Sequence, residues 1–396
     1  MKATGMRVLA AGAAVMSISI YSQMGFSGST TQPKNDAAAI AVEKGAKWLV
    51  SVQGQDGGWG QDGGETSYVR QGEHLESNGN DVANTAVAAT ALLHSGNTPF
   101  SRQYHMALQR AVNFILRHVE QSPVEGLTVT DLNGTQIQRK LGPFIDTFLS
   151  SKLLAELDGN MGDARLNARV RQSLQKCVAK IEKNQLQDGS WNVAGGWAPI
   201  LGTSMASRSL FIAKEKGLAV SQIAMARVDE YTQKGTHAPS APISPGRGVE
   251  TGMVSRPFAG GVMADAVSAG VPLYKSAQTL EQLSRTETDR KKNAPQIRAI
   301  TRDLENARFV SGFGSIGGEE FFSYLNISDS LHRAGGPDWE KWNGDMKTKV
   351  IRLQNEDGTW SGQHCITGRV AVTSAAMLLL LADRDSILKP ASARKN

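Results

Sequence analysis

Two short stretches of the sequence carry side chains that could do chemistry. In "GGEEFFSY", two glycines precede the adjacent acids Glu319 and Glu320, and Tyr324 follows. In "SGQHCITGR", His364 and Cys365 stand side by side. A histidine or a carboxylate can act as a general acid or base, and a cysteine is a nucleophile where its pKa is lowered. His364, Cys365 and Glu320 are therefore the predicted catalytic group, with packed loop residues as the alternative.

A second set of polar residues shares a position near the start of apolar segments. Such positions hold ordinary helix caps, but a ligand can also be bound there because the positive ends of helix dipoles converge. Glycines before the acids would let a loop approach a ligand closely. The predicted ligand-binding residues are Asp81, Asp146, Glu319, Tyr324 and Arg369.

The segments that must position these residues are helical from about residue 36 onward, and two kinds alternate. Amphipathic segments such as "AAAIAVEKGAKWLVSVQ" face water on one side, whereas "VANTAVAATALL" is apolar nearly all round and must be surrounded by protein. The outer helices are predicted at 36–53, 101–120, 163–186, 221–234, 274–306 (with a break near Pro295) and 338–355. The inner helices are predicted at 81–94, 143–158, 199–215, 257–270, 318–334 and 369–383.

Six alternating pairs with a period near 50 residues indicate a closed all-α array, because no pair can bury its apolar face alone. The predicted fold is an α/α toroid of about six inner and six outer helices over residues 36–386. Closure of the ring would bring residues near 81 close to residues near 365. The predicted site residues would then share one rim.

A repeated turn supports this arrangement. The pattern Q-x-x-D-G-x-W occurs three times at the ends of predicted outer helices. Glycine can adopt the left-handed conformation that stops a helix, the glutamine amide can bond exposed backbone groups, and the tryptophan can cover the turn. The predicted structural residues are Gln53, Asp56, Trp59, Gln185, Asp188, Trp191, Gln354, Asp357 and Trp360.

The longer pattern K-G-x-x-W-L-x-x-x-Q-x-x-D-G-x-W, which begins at Lys44, resembles the QW repeat of the terpenoid cyclase and protein prenyltransferase superfamily. The resemblance implies the α/α toroid. Squalene–hopene cyclases start cyclisation with a D-x-D-D-T-A motif whose central aspartate protonates an alkene. The similar stretch here begins at Asp81, but Ala83 replaces the protonating aspartate and Asn84 replaces the last one. Ordinary squalene cyclisation is therefore not expected.

Two other groups of proteins with this fold are poor matches. Protein prenyltransferases bind zinc through an Asp-x-Cys pair and a distant histidine, and no Asp-x-Cys pair occurs here. Adjacent His364 and Cys365 lack a third ligand at a recognisable spacing, so no cofactor is predicted and zinc is the disfavoured alternative. The thioester motif of complement-like domains is absent too.

Composition and the chain ends limit the remaining choices. The chain has 396 residues, 40% of them hydrophobic and 20% charged, and a net charge of +6. No aromatic residues interleave with its basic stretches, so nucleic-acid binding is not predicted. Residues 1–35 read as a signal peptide with a polar linker, and 387–396 as a basic tail. A periplasmic or secreted location is expected, with an uncleaved, membrane-proximal anchor as the alternative.

Three functions remain open from the sequence. The first is a non-catalytic toroid that binds an isoprenoid, lipid or glycan at its mouth. The second is an enzyme of the squalene cyclase and prenyltransferase superfamily with divergent catalytic residues. The third is a structural subunit of a larger assembly, and the oligomeric state is open in all three.

Overall fold

The computed structural model describes residues 36–63, 79–191, 199–236, 271–312 and 316–384. Within these ranges the chain is helical and has no β-strand beyond isolated bridges. The helices are, in chain order, α1 (Ala37–Ser51), α2 (Val82–His94), α3 (His105–Gln121), α4 (Gln136–Leu141), α5 (Ile145–Leu157), α6 (Ala164–Lys183), α7 (Pro199–Glu215), α8 (Gln222–Thr236), α9 (Val271–Leu283), α10 (Glu287–Lys292), α11 (Ala294–Asp303), α12 (Ala307–Val310), α13 (Gly318–Ala334), α14 (Pro337–Arg352) and α15 (Arg369–Leu380).

Six of these helices pack side by side as a closed inner ring. Contacts run from α2 to α5, then to α7, α9, α13 and α15, and from α15 back to α2. The outer layer consists of α1, α3, α6, α8, the α10–α11 pair and α14. The described residues therefore form an α/α toroid with six inner and six outer positions, which confirms the predicted fold.

The fourth inner helix is not where the sequence placed it. Segment 257–270, predicted to fill that position, lies outside the described residues. The position is filled by α9, which was assigned to the outer helix predicted at 274–306. That assignment was wrong, and the outer helix is confined to α10 and α11, which meet at Asn293 close to the predicted break.

The sequence misplaced α9 because this inner helix buries polar side chains in place of apolar ones. Glu281 is fully buried and pairs with Arg285 at 3.0 Å. The Gln282 amide donates to the Ser207 hydroxyl of α7 at 3.3 Å. Buried polar groups are tolerated when they are hydrogen-bonded, so an inner helix can look like an outer one by composition.

The three Q-x-x-D-G-x-W turns join neighbouring helix pairs through the same hydrogen bonds. Each glutamine amide donates to the carbonyl of its own Asp-Gly turn and to a carbonyl of the next outer helix. The second acceptors lie 2.9 Å away and are Ala107 for Gln53, Ala224 for Gln185 and Ala41 for Gln354. Because Ala41 belongs to α1, the last of these bonds ties the last helix pair to the first.

The tryptophans of these turns are buried and hydrogen-bonded. The Trp360 indole N–H donates to the Val350 carbonyl at 2.7 Å, and its backbone N–H donates to the Thr373 hydroxyl of α15 at 3.0 Å. Trp59 and Trp191 make the corresponding bonds. Each ring therefore connects the end of an outer helix to the next inner helix.

A glycine is required at each turn for two reasons. Gly57 has φ +96°, a left-handed conformation that disfavours a side chain. A Cβ atom on Gly57 would also lie 2.6 Å from the Arg110 carbonyl oxygen of α3. The turn thus packs its backbone directly on the neighbouring outer helix.

The predicted signal segment 1–35 and the predicted tail 387–396 lie outside the described residues. Among the described helices, none combines the length and the apolar character needed to cross a bilayer. Cys177 is fully buried on α6.

Candidate functional site

The start of α13 holds two buried carboxylates in fixed positions. Both Glu319 and Glu320 are fully buried. The Glu320 carboxylate accepts a hydrogen bond from the Gly317 backbone N–H at 2.9 Å, as in a capping box. The Glu319 carboxylate accepts through Oε2 from the Ile366 N–H at 3.2 Å. The acids therefore fix the helix start and also hold the loop that carries His364.

His364 lies between these two carboxylates. Its Nδ1 is 3.2 Å from Oε1 of Glu319, and its Nε2 is 3.4 Å from Oε1 of Glu320. The His364 side chain is 22% exposed, whereas both acids are buried behind it. A half-buried imidazole flanked by two acceptors can hold a ligand hydroxyl or move a proton at the surface of the site.

Cys365 completes the cluster in a strained backbone conformation. Its φ is +54°, which non-glycine residues rarely adopt. Burial and the neighbouring Glu319 carboxylate raise the pKa of the thiol to about 12. A cysteine nucleophile needs a lowered pKa, so the hypothesis that Cys365 attacks as a free thiolate is not supported.

Two tyrosines border the carboxylates. The predicted residue Tyr324 donates its hydroxyl to the Val310 carbonyl at 2.6 Å and accepts from the Lys349 ammonium at 3.0 Å. These contacts hold the Tyr324 hydroxyl against α12 and α14. Tyr274 of α9, which sequence reasoning missed, is buried, and this burial together with the charges of the two acids raises its pKa.

A separate pair of acids lies at the starts of α2 and α5. Asp81 caps α2 by accepting from the Asn84 N–H at 2.7 Å, and Asp146 accepts from the Ala83 N–H at 3.0 Å. Burial, with the charge of Asp146 as the second cause, raises the pKa of Asp81 to about 7. Burial also raises the pKa of Asp146 to about 6.

The short helix α4 connects this pair to the histidine loop. The Gln138 amide donates to Asp146 at 2.8 Å, and the Gln136 amide donates to the Thr367 hydroxyl at 2.9 Å. The side-chain Oε1 of Gln136 also accepts from the Thr367 backbone N–H at 3.0 Å. The starts of α2, α5, α13 and α15 therefore lie at one rim, as ring closure predicted.

Arg369 also lies at this rim, at the start of α15. Its guanidinium lies 3.7 Å from Asp62 and 3.9 Å from Asp357, and it stacks over the Trp48 ring at 5.6 Å. Asp357 belongs to the third Asp-Gly turn, Asp62 follows the first, and Trp48 lies on α1, so Arg369 links the last helix pair to the first.

A second buried charged cluster, absent from the sequence predictions, lies towards the other ends of the inner helices. His94 at the end of α2 contacts Glu156 of α5 at 2.7 Å. Burial lowers the pKa of Lys152 to about 8. Burial and the charge of Arg333 lower the pKa of Arg208 to about 10. The Arg208 guanidinium pairs with Asp329. These groups lie on four of the six inner helices, α2, α5, α7 and α13.

Comparison with known proteins agrees with the fold. The model of the squalene-hopene cyclase C-terminal domain matches residues 19–135. A variant of the type II terpene cyclase MstE from Scytonema, in complex with its substrate geranylgeranyl dihydroxybenzoate, superposes with a TM-score of 0.52 and 12% identity. That match covers 88% of this chain and 97% of that chain. Among curated proteins, none matches the sequence significantly.

Two further MstE structures give the same result. A second variant with the same substrate has a TM-score of 0.50, 11% identity and coverage of 89% of this chain and 98% of that chain. A third variant without ligand has a TM-score of 0.51, 11% identity and the same coverage of both chains. The likeness confirms the resemblance to the terpenoid cyclase superfamily at the level of fold. This chain has the toroid of type II terpene cyclases.

Proposed function

We propose that this protein is an exported toroid that binds an isoprenoid-type ligand at the rim formed by the starts of the inner helices. The observation that carries the proposal is the convergence of Glu319, Glu320 and His364 on one cluster. Glu319 and Ile366 lie 47 residues apart in sequence, and their segments "GGEEFF" and "QHCITG" meet there because α13 and α15 are neighbours in the inner ring.

The chemistry of the rim and the ring suits a ligand with a hydroxyl-bearing head and an apolar body. His364 and the carboxylates behind it supply hydrogen-bond acceptors for hydroxyl groups. The inner helices α2 and α15 are almost wholly apolar below the rim. Ligand sites commonly combine an apolar lining with a few fixed polar groups.

The substrate of the structurally similar MstE, geranylgeranyl dihydroxybenzoate, has this division into a polar head and an isoprenoid body. Lipid and glycan ligands remain weaker alternatives. A glycan would need more exposed polar surface than the rim residues provide, since Glu319, Glu320 and Tyr324 are all buried.

Binding without acid-initiated cyclisation is the form that we favour. Ala83, which stands where squalene cyclases carry the protonating aspartate, is fully buried in the first turn of α2. The nearest acid in sequence, Asp81, accepts hydrogen bonds at both oxygens from the backbone and side chain of Asn84. A carboxyl group occupied in this way is a helix cap, and a strong alkene-protonating acid needs a free, well-placed proton.

The test is to titrate the purified protein with geranylgeranyl dihydroxybenzoate and to measure the affinity by isothermal titration calorimetry. His364→Gln should weaken binding by roughly tenfold, the value of one or two ligand hydrogen bonds. His105→Gln makes the same change at the start of the outer helix α3 and should leave the affinity unchanged. Equal affinities of the two variants, or no binding by the wild type, would contradict the proposal.

An enzyme with divergent catalytic residues is the second candidate. It is favoured by one observation: each ring nitrogen of His364 faces a buried carboxylate within 3.4 Å, an arrangement that can accept and return a proton. Mass spectrometry of the recovered ligand separates the two candidates. A changed ligand mass that is lost in His364→Gln would establish catalysis, and an unchanged mass would leave the binding role.

A further inference from the structure

Three different metal-ligating groups meet at the rim. They are the carboxylate of Glu319, the imidazole of His364 and the thiol of Cys365, and their ligand atoms all lie within 4.8 Å of one another. In a tetrahedral zinc site, bonds of about 2.0–2.3 Å separate the ligand atoms by about 3.3–3.8 Å. Small side-chain rotations would bring these three groups to that spacing.

We propose that Glu319, His364 and Cys365 bind one Zn²⁺ ion and leave its fourth position open to water or a ligand. The sequence did not predict this site because no third ligand had a recognisable spacing from the His-Cys pair. The toroid supplies it from α13, 45 residues before His364. The ligand set also differs from the Asp-x-Cys pair of protein prenyltransferases, because the two ligands that are close in sequence here are the adjacent His364 and Cys365.

The Glu319 carboxylate is held in a way that suits a metal ligand. Its Oε2 accepts from the Ile366 N–H, which fixes the group. Its Oε1 is fully buried and faces Nδ1 of the imidazole at 3.2 Å. A buried carboxylate is costly unless it is paired, and a bound cation would supply a partner of opposite charge.

The second carboxylate provides the support that a ligating histidine usually has. If Nδ1 of His364 binds the metal, Nε2 carries the proton and faces Oε1 of Glu320 at 3.4 Å. A carboxylate in this position fixes the tautomer and orients the ring. Glu320 is in turn anchored by the Gly317 N–H, so it is a positioning residue that need not touch the metal.

The donor types select the metal. A thiol and an imidazole together favour Zn²⁺ and similar borderline ions, whereas Mg²⁺ and Ca²⁺ require oxygen ligands. The charged groups around the cluster are Glu319, Glu320, Lys140 near Cys365 and Lys349 near Glu320. With the thiolate formed on binding, a divalent cation balances the ligand charges.

The inference concerns the same rim as the proposed ligand site, but it can be tested without any lipid. The experiment is to load chelator-treated protein with Co²⁺, a spectroscopic substitute for Zn²⁺, and to record its absorption spectrum. The wild type should bind one equivalent and show an intense sulfur-to-cobalt charge-transfer band. Cys365→Ala should lose that band, and Cys177→Ala, which removes the buried core cysteine, should keep it.

Displacement of the bound Co²⁺ by Zn²⁺ then gives the Zn²⁺ affinity of the wild type and of each variant. Glu319→Gln should weaken binding by roughly tenfold or more through loss of a ligand, and Glu320→Gln by roughly ten- to a hundredfold while keeping the charge-transfer band. Circular dichroism reports whether each variant is folded. No charge-transfer band in folded wild type, or the same band in Cys365→Ala, would overturn the metal site. Neither result would affect the calorimetric test of ligand binding, which is run on metal-free protein as well.

Discussion

Replacing Asp81 by asparagine should remove a pH-dependent loss of stability. Burial and the charge of Asp146 raise the pKa of Asp81 from its ordinary value of 3.8 to about 7 in the folded protein. Between these two pH values the folded protein retains a proton that the unfolded chain releases. Stability therefore falls as pH rises from about 4 to about 7, and the full loss is present above the folded pKa.

The magnitude follows from the two pKa values. Each pKa unit corresponds to about 1.4 kcal/mol, so the loss is on the order of 4 kcal/mol at most. Asparagine caps a helix about as well as aspartate, and its carbonyl oxygen can still accept from the Asn84 N–H. The side-chain Oδ1 of Asn84 is buried without a hydrogen-bond donor. A flip of the Asn84 side-chain amide would let Oδ1 accept a hydrogen bond from the asparagine introduced at position 81.

The assay is thermal and urea unfolding of wild type and Asp81→Asn at several pH values between 4 and 8. At pH 4 the two proteins should have similar free energies of unfolding. At pH 8 the variant should be more stable by a few kcal/mol. Asp146→Asn is the matched control at the partner acid and should reduce the pH dependence without removing it. Parallel pH profiles of wild type and Asp81→Asn, or a variant that is less stable at pH 8, would show that the buried Asp81 carboxyl does not cause the loss of stability.

The remaining predictions concern the turns and the chemistry. Trp59→Ala, Trp191→Ala and Trp360→Ala should each lower the free energy of unfolding by about 3–5 kcal/mol, because each ring is buried; unchanged melting temperatures in all three would contradict a clamping role. Gln354→Leu leaves two carbonyl oxygens without a donor and should cost about 2–4 kcal/mol in urea unfolding. Incubation with squalene followed by gas chromatography should yield no polycyclic product, and products that disappear in Asp81→Asn would disprove this.

The architecture of the ring could be predicted from the sequence because it is repeated. The Q-x-x-D-G-x-W turns mark three of the six junctions between outer and inner helices, and the apolar segments mark most of the inner ring. The prediction failed at α9, where buried charges such as Glu281 and Arg285 replace apolar side chains. Composition distinguishes inner from outer helices only where the inner helix is apolar.

The candidate site could be predicted in part. Residue types at the starts of consecutive inner helices were sufficient to predict that Glu319, Glu320, His364 and Cys365 lie together. They did not predict the contacts of Arg369 with Asp62 and Asp357, because a position at a helix start does not determine which way a long side chain points. Tyr274 was missed because its helix was assigned to the outer layer.

The most direct test of the rim site is native mass spectrometry of the protein purified from its own host, compared with the same protein after denaturation. A retained non-covalent ligand of isoprenoid mass is expected in the wild type and in His105→Gln, and its loss is expected in His364→Gln. A wild-type protein that carries no such ligand, or a ligand retained equally by His364→Gln, would contradict a binding site at the rim of the toroid.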